Sequence, residues 1–432
     1  MTKIKDYESN SSSFYANYTL GLHLQTSTPD MTETKSLLSH RILVMEESQT
    51  IGMAKKAREL AAKGIDVINL SFGEPDFPTP LHIREAAKKA IDEGFTFYTP
   101  VAGYPDLKKA ICTKFSRDNG INFLPENIVV STGAKQSIAN AVLCLVDPGD
   151  EVVIIGPYWV SYLEIVKLAE GIPVVVSGQI ENSYKPSIKD VEAAISDKTK
   201  VILYSSPSNP TGAVFSKEEL ESLADVLIRH PRVIAIADEI YEYINFVGKH
   251  ESLGAIERVK DRVVTINGLS KGFAMTGWRL GYLGAPKWIA DACDKIQGQF
   301  TSGTNSITQR AAITALDSDL EPSREMTRRF KERRDMVLEK CKSIPGFRNM
   351  VPDGAFYLFP EVSSYFGKKS PDGELISNAT DLCMYLLNHA HVSVVPGEAF
   401  GAAQCIRISY AAADEKLAEA FDRIQKALEL LH

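Results

Sequence analysis

Short runs of Val, Ile and Leu recur through the middle of the chain with helical stretches between them, and this alternation restricts the fold more than any other feature. The runs lie at 127–131, 151–155, 173–177, 200–204, 232–237 and 263–267. Val201-Ile202-Leu203 and Val233-Ile234-Ala235-Ile236-Ala237 contain no polar residue at all. A strand with one wet face alternates polar and apolar residues. These runs do not, so they predict an α/β fold with a mainly parallel sheet covered by helices on both faces. Helices are expected over 104–118, from about Ala134, and over 160–169, 319–342 and 413–431. Ile51–Lys63 reads as an amphipathic helix, and Asp66–Ser71 as a short strand entering the turn Gly73-Glu74-Pro75-Asp76. At 432 residues the chain is too long for one ordinary core. We expect a large α/β domain at 75–315 and a smaller α+β domain combining 41–74 with 316–432. Residues 1–40 are rich in Ser, Thr and Tyr and lack the apolar core of a secretory signal, so they are expected as a disordered extension outside the fold.

Bulk properties narrow the function. The net charge of −7 argues against nucleic-acid or anionic-membrane partners. No apolar run approaches the roughly 18 residues of a membrane span. The six cysteines include no Cys-x-x-Cys pair, which points to reduced cytoplasmic thiols and to no metal site.

The chemistry concentrates in Gly268-Leu269-Ser270-Lys271-Gly272-Phe273-Ala274-Met275-Thr276-Gly277-Trp278-Arg279. An amine, an adjacent hydroxyl and a guanidinium eight positions on lie among small residues. A lone lysine is most often solvated. Here Asn209-Pro210-Thr211-Gly212 and Asp238-Glu239-Ile240-Tyr241 accompany it upstream, and the set suits pyridoxal 5'-phosphate. Lys271 would form an imine with the aldehyde and later carry a proton. Asp238 ends an apolar strand, where ligands bind in open α/β sheets, and would hold a proton on the pyridine nitrogen, although an isolated Asp there more often caps a helix. Tyr241 and Asn209 would donate to the phenolic oxygen. Ser131-Thr132-Gly133-Ala134-Lys135-Gln136 ends a strand and opens a helix, a geometry that aims the backbone N–H groups of Gly133, Ala134 and Lys135 at the phosphate, with Arg279 and Ser270 beside them. Arg407 lies in the apolar stretch Cys405-Ile406-Arg407-Ile408. Burying it requires a carboxylate, either from the chain as an ion pair or from a substrate, and the sequence leaves both open.

Taken together, these segments resemble the fold-type-I pyridoxal-phosphate aminotransferases of class I/II, and in particular the bacterial aspartate aminotransferase subgroup, from about residue 41 to the end. The resemblance implies a seven-stranded type of sheet, a homodimer with shared active sites, and further roles. Tyr98 matches a tyrosine that reaches the phosphate of the neighbouring subunit's cofactor. Trp159 matches an aromatic residue stacked near ring and substrate, and Gly73 a glycine whose backbone borders the substrate carboxylate. Arg407 matches the arginine that clamps that carboxylate. Two departures stand out. Gly268 replaces a phosphate-binding serine of many relatives, and Gln297-Gly298-Gln299-Phe300-Thr301-Ser302 lacks the arginine that reads a distal carboxylate in another subgroup. The expected activity is ping-pong amino transfer from an L-amino acid, aspartate first, to a 2-oxo acid, 2-oxoglutarate first. An aromatic or prephenate-type aminotransferase is the alternative, and a non-catalytic binding protein of the same fold a more distant one.

Overall fold

The computed structural model describes residues 37–46 and 49–432, so the expectation for 1–36 lies outside the described residues. Contacts divide the chain into a unit ending at Leu43 and a compact unit over 44–432. In the first, His40–Leu43 makes one short helix with no buried side chain. All that follows concerns the second.

Twelve strands occur among the described residues: β1 (Ile68–Asn69), β2 (Ile128–Ser131), β3 (Glu151–Gly156), β4 (Ile172–Ser177), β5 (Thr199–Ser205), β6 (Ile234–Asp238), β7 (Val263–Gly268), β8 (Gly281–Gly284), β9 (Tyr357–Leu358), β10 (Val392–Ser393), β11 (Val395–Pro396) and β12 (Ile406–Ser409). Seven of them form the main sheet in the order β2-β8-β7-β6-β5-β3-β4. Every neighbouring pair is parallel except those of β8, which runs antiparallel to β2 and β7. The runs at 200–204, 232–237 and 263–267 are the central strands β5, β6 and β7, which are almost wholly buried. One face packs Ile138, Val142, Tyr162 and Ile289 against Val152, Ile154, Leu203 and Ile236. The other packs Leu220, Leu223 and Leu227 against Val153, Ile202 and Ala235. Each such side chain removed from water contributes roughly 1.5–3 kcal/mol. The helix Lys217–Arg229 starts at a capping box, with Ser216 and Glu219 each satisfying the other's backbone N–H.

A separate apolar cluster joins Met53, Ala57, Ile68 and Leu70 to Phe330, Phe356, Leu382 and Phe421. Strand β1 pairs in parallel with β10, Ile68 opposite Val392, which ties the early segment to the C-terminal part. The strand expected over Asp66–Ser71 shrinks to two residues, because only β10 borders it and that strand is equally short. The helix expected over 104–118 is α-helical at Pro105–Lys114 and then widens to a π turn at Phe115–Asn119. Among the described residues no helix is long and apolar enough to cross a membrane.

Candidate active site

Parallel strands place their carboxyl ends on one edge of the sheet, and loops leaving that edge supply the walls of a cavity of about 310 Å³. It is lined by Gly73, Ala134, Lys135, Trp159, Asn209, Asp238, Tyr241, Ser270, Lys271, Arg279 and Arg407, together with Tyr162, Ser205, Thr276 and Tyr357. Segments more than 330 residues apart in sequence thus meet in one place, as the contact from Arg407 to Ser71 demonstrates. Tyr98 is not among the lining residues and is 98% exposed.

Lys271 follows β7 and donates to the carbonyl of Gly73. Burial depresses its ammonium from the ordinary 10.5 to about 8; Arg407 and Arg279 add to the depression, while Glu74 and Asp238 oppose it. An amine in that range passes readily between free base and ammonium near neutral pH.

Asp238 is the last residue of β6. Its Oδ2 accepts from the Tyr162 hydroxyl at 2.6 Å and its Oδ1 from the Ile240 N–H at 3.2 Å. Burial pushes the carboxyl up to about 6 against these two bonds, and it has no ion pair among the described residues. A buried acid in this condition has room for one more cation. Tyr241, three residues on, shares a hydrogen bond of 2.7 Å with Tyr357, and burial raises the pKa of both hydroxyls.

Arg407 points inward from β12 and is 2% exposed. It donates to Asn209 Oδ1 at 3.0 Å and to the Ser71 carbonyl at 2.7 Å, and its guanidinium sits 4.5 Å from the Tyr357 ring centre. Its Nε has no partner and no carboxylate pairs with it among the described residues. The ion-pair alternative left open by the sequence therefore falls away. An unpaired buried guanidinium costs several kcal/mol, which a ligand carboxylate would offset.

Gly133 precedes the helix Ala134–Leu145 with φ +86°, and a Cβ there would lie 2.5 Å from Arg279 Nη2. Glycine thus lets the guanidinium close over the helix entrance, where Ala134 and Lys135 present N–H groups with no intrahelical acceptor. Ser270 completes this corner of the lining. At Gly268 a Cβ would meet Gly281 Cα and the Leu280 carbonyl at 2.9 Å each, so a serine at this position has no space here. Lys135 is an exposed residue that nevertheless borders the cavity. Its ammonium lies 4.8 Å from the Trp159 ring centre, within the cavity lining.

Several lining residues escaped the sequence reading. Among them, Tyr162 and Ser205 carried no motif, and Thr276 lay without a role inside the lysine run. Tyr357 lies in the apolar run Ala355-Phe356-Tyr357-Leu358-Phe359 and looks like core. Its one signal is indirect: a Cβ at Gly73 would sit 2.6 Å from the Tyr357 hydroxyl, so the glycine exists to admit it.

The residues fit pyridoxal phosphate group by group. An amine held only by a backbone carbonyl, a buried carboxylate without an ion pair, two hydroxyl or amide donors and a glycine-relieved cation corner face one another across a single cavity. Comparison with known proteins agrees. The sequence profile described as "Aminotransferase class I and II" matches residues 65–424. A Petunia hybrida protein named bifunctional aspartate aminotransferase and glutamate/aspartate-prephenate aminotransferase is 45% identical over 92% of this chain and 84% of its own. The aspartate aminotransferase structure from Rhizobium meliloti superposes with a TM-score of 0.89 at 42% identity, covering 91% of this chain and 99% of that one. The Thermus thermophilus aspartate aminotransferase with maleate gives 0.84 at 39%, covering 90% and 99%.

Proposed function

Because the chain belongs to the class I and II aminotransferases, enzymes that depend on pyridoxal 5'-phosphate, we propose that its amino donor is aspartate and its acceptor 2-oxoglutarate. The observation that carries amino transfer between amino acids and 2-oxo acids is Arg407, a buried cation lacking the carboxylate it needs. Every amino acid and 2-oxo acid brings that carboxylate. The Thermus relative with maleate, a dicarboxylate, and the names of the relatives favour acidic substrates.

When bound, the cofactor supplies an electron-poor ring that takes up the electron pair released at the substrate α-carbon. The chain's own groups do the rest. Arg407 and Asn209 orient the α-carboxylate. Lys271 Nζ, with its pKa brought near neutrality, accepts the α-proton and returns it at the neighbouring carbon. Asp238 keeps a proton on the ring nitrogen, with Tyr162 steadying its carboxylate. Tyr241 and Asn209 would donate to the phenolic oxygen, Trp159 would cover the ring, and Arg279, Ser270 and the N–H groups of Ala134 and Lys135 would hold the phosphate, whereas the Gly133 N–H expected to join them is bonded to the Ser131 carbonyl at 2.8 Å. Gly73 borders the substrate carboxylate.

The distal carboxylate of aspartate requires a further cation. Lys135 is the cavity cation left without another task, and it makes no ion pair among the described residues. We assign it that contact. The second reading, a prephenate or aromatic donor, draws on the name of the Petunia relative. We also take the protein to be a cytoplasmic homodimer, with Tyr98 completing the neighbour's site. Its exposure beside Phe97, itself 83% exposed, supports this, as do free thiols at all six cysteines.

Adding aspartate alone to the loaded enzyme should convert the cofactor's absorbance to that of its aminated form, and 2-oxoglutarate should restore it. No change with aspartate, alongside a change with prephenate's amino product, would overturn the choice of donor.

A further inference from the structure

The turn that follows β6 has two faces. Asp238 and Tyr241 look into the cavity, whereas Glu239 and Glu242 look the other way, since residues three apart share a face of a helical turn. Behind the turn both glutamates enter a closed polar cluster with Lys114, Asn119, His250 and Ser252, all of them buried. Lys114 pairs with Glu242 Oε1 and donates to Asn119 Oδ1 at 2.6 Å. Asn119 Nδ2 lies 2.9 Å from Glu239 Oε2 and 2.8 Å from Glu242 Oε2, and Ser252 donates to Glu239 Oε2 at 2.6 Å. His250 Nε2 stands 3.0 Å from Glu239 Oε2. Burial alone would lower the His250 pKa, but Glu239 and Glu242 more than offset it, which favours the imidazolium. Glu239, Glu242 and His250 are close enough to share a metal ion, but the Lys114 ammonium already lies against Glu242.

The charges are informative. Two buried carboxyl groups meet the Lys114 ammonium and, 3.0 Å from Glu239, an imidazole whose charged form both glutamates favour, so a protonated His250 would balance the cluster. Asp238, joined to Glu239 by one peptide bond, stays outside that balance. Were either cation missing, the surplus negative charge would fall beside Asp238, and like charges drive a carboxyl to keep its proton. A protonated Asp238 could not hold a cationic ring nitrogen.

We infer that Lys114 and His250 are positioning residues for the transamination: acting through Glu239 and Glu242, they leave Asp238 as the one uncompensated carboxylate of the turn, ionised and aimed at the cofactor's ring nitrogen. The inference rests on the role proposed above for Asp238, and it depends on the sign of each charge, which a purely structural role would not.

The test measures dissociation constants of the cofactor-free protein for pyridoxal phosphate and for its analogue with carbon in place of the ring nitrogen, following quenching of tryptophan fluorescence. Folding of each variant is checked by circular dichroism. At pH 5, below the range of about 6 in which Asp238 titrates, Lys114→Met and His250→Gln should each weaken pyridoxal phosphate by about tenfold, the equivalent of about one pKa unit on Asp238, while the analogue changes by less than about threefold. Glu242→Gln, which removes an anion, should not weaken pyridoxal phosphate. Lys114→Met/Glu242→Gln, balanced again, should return to within about threefold of wild type. Equal losses for both ligands, or a loss in Glu242→Gln matching that in Lys114→Met, would overturn the inference. Should Lys114→Met fail to fold, His250→Gln and the double variant decide. If the wild-type protein does not distinguish the two ligands, the role of Asp238 fails instead.

Discussion

In the cofactor-free protein, Lys271→Met is expected to raise the unfolding free energy at neutral pH, by an amount set by the cost of burying the ammonium. Folding shifts that group from the ordinary 10.5 to about 8. Each unit corresponds to about 1.4 kcal/mol, so the charged form costs about 3 kcal/mol below pH 8. The sign follows from proton binding. Between the folded and unfolded pKa values the unfolded chain binds more protons, so wild-type stability rises with pH across that window. Methionine has a similar length and no charge, so the variant lacks this rise. Its lost contact with the Gly73 carbonyl costs about 1 kcal/mol at every pH. The variant should therefore be more stable than wild type by about 2 kcal/mol near pH 7, with about 2 kcal/mol of that difference gone by about pH 9.5. Urea titrations of both proteins at matched concentrations, followed by circular dichroism, measure it, and taking the difference cancels the other titrating groups. A difference that does not vary with pH would refute the claim that burial depresses this lysine.

Three further outcomes follow from the same geometry. Gly133→Ala should weaken cofactor binding by about tenfold or more in a fluorescence titration, since its φ of +86° costs a Cβ-bearing residue roughly 1–2 kcal/mol and the methyl displaces Arg279. Arg407→Leu should lower kcat/KM for amino acids and 2-oxo acids alike by about 10- to 100-fold, chiefly through KM, with cofactor affinity unchanged in the same titration. Lys135→Ala should lower kcat/KM for aspartate by about tenfold and leave that for phenylalanine within about threefold, as steady-state competition between the two donors would measure.

Much of this protein could be read from its sequence because its signals are local. Runs made mostly of Val, Ile and Leu without polar alternation favour burial on both faces, so β3, β5, β6 and β7 were visible within a residue or two. Strand β8 was not. Gly281-Tyr282-Leu283-Gly284 is short and bounded by glycines, and only its place between β2 and β7 makes it a strand. The residues with distinctive chemistry in distinctive order, Asn209, Asp238, Tyr241, Lys271 and Arg279, all line the cavity. Tyr162 and Tyr357 act through partners distant in sequence, Asp238 and Tyr241, and nothing in their own neighbourhoods announces it. For Arg407 the sequence could not say whether a glutamate or aspartate waited beside it; that is a question of packing, and packing left the place open. The Lys114–Glu242 cluster was equally hidden, because its members are ordinary surface residue types until the fold brings them together.

The account depends on Lys271 being the residue that carries the cofactor. Borohydride reduction of the loaded protein, followed by proteolysis and mass analysis, tests this directly. The cofactor's mass should appear on the peptide bearing Lys271 and be missing from Lys271→Ala. Its recovery on any other lysine, or on none, would contradict the assignment.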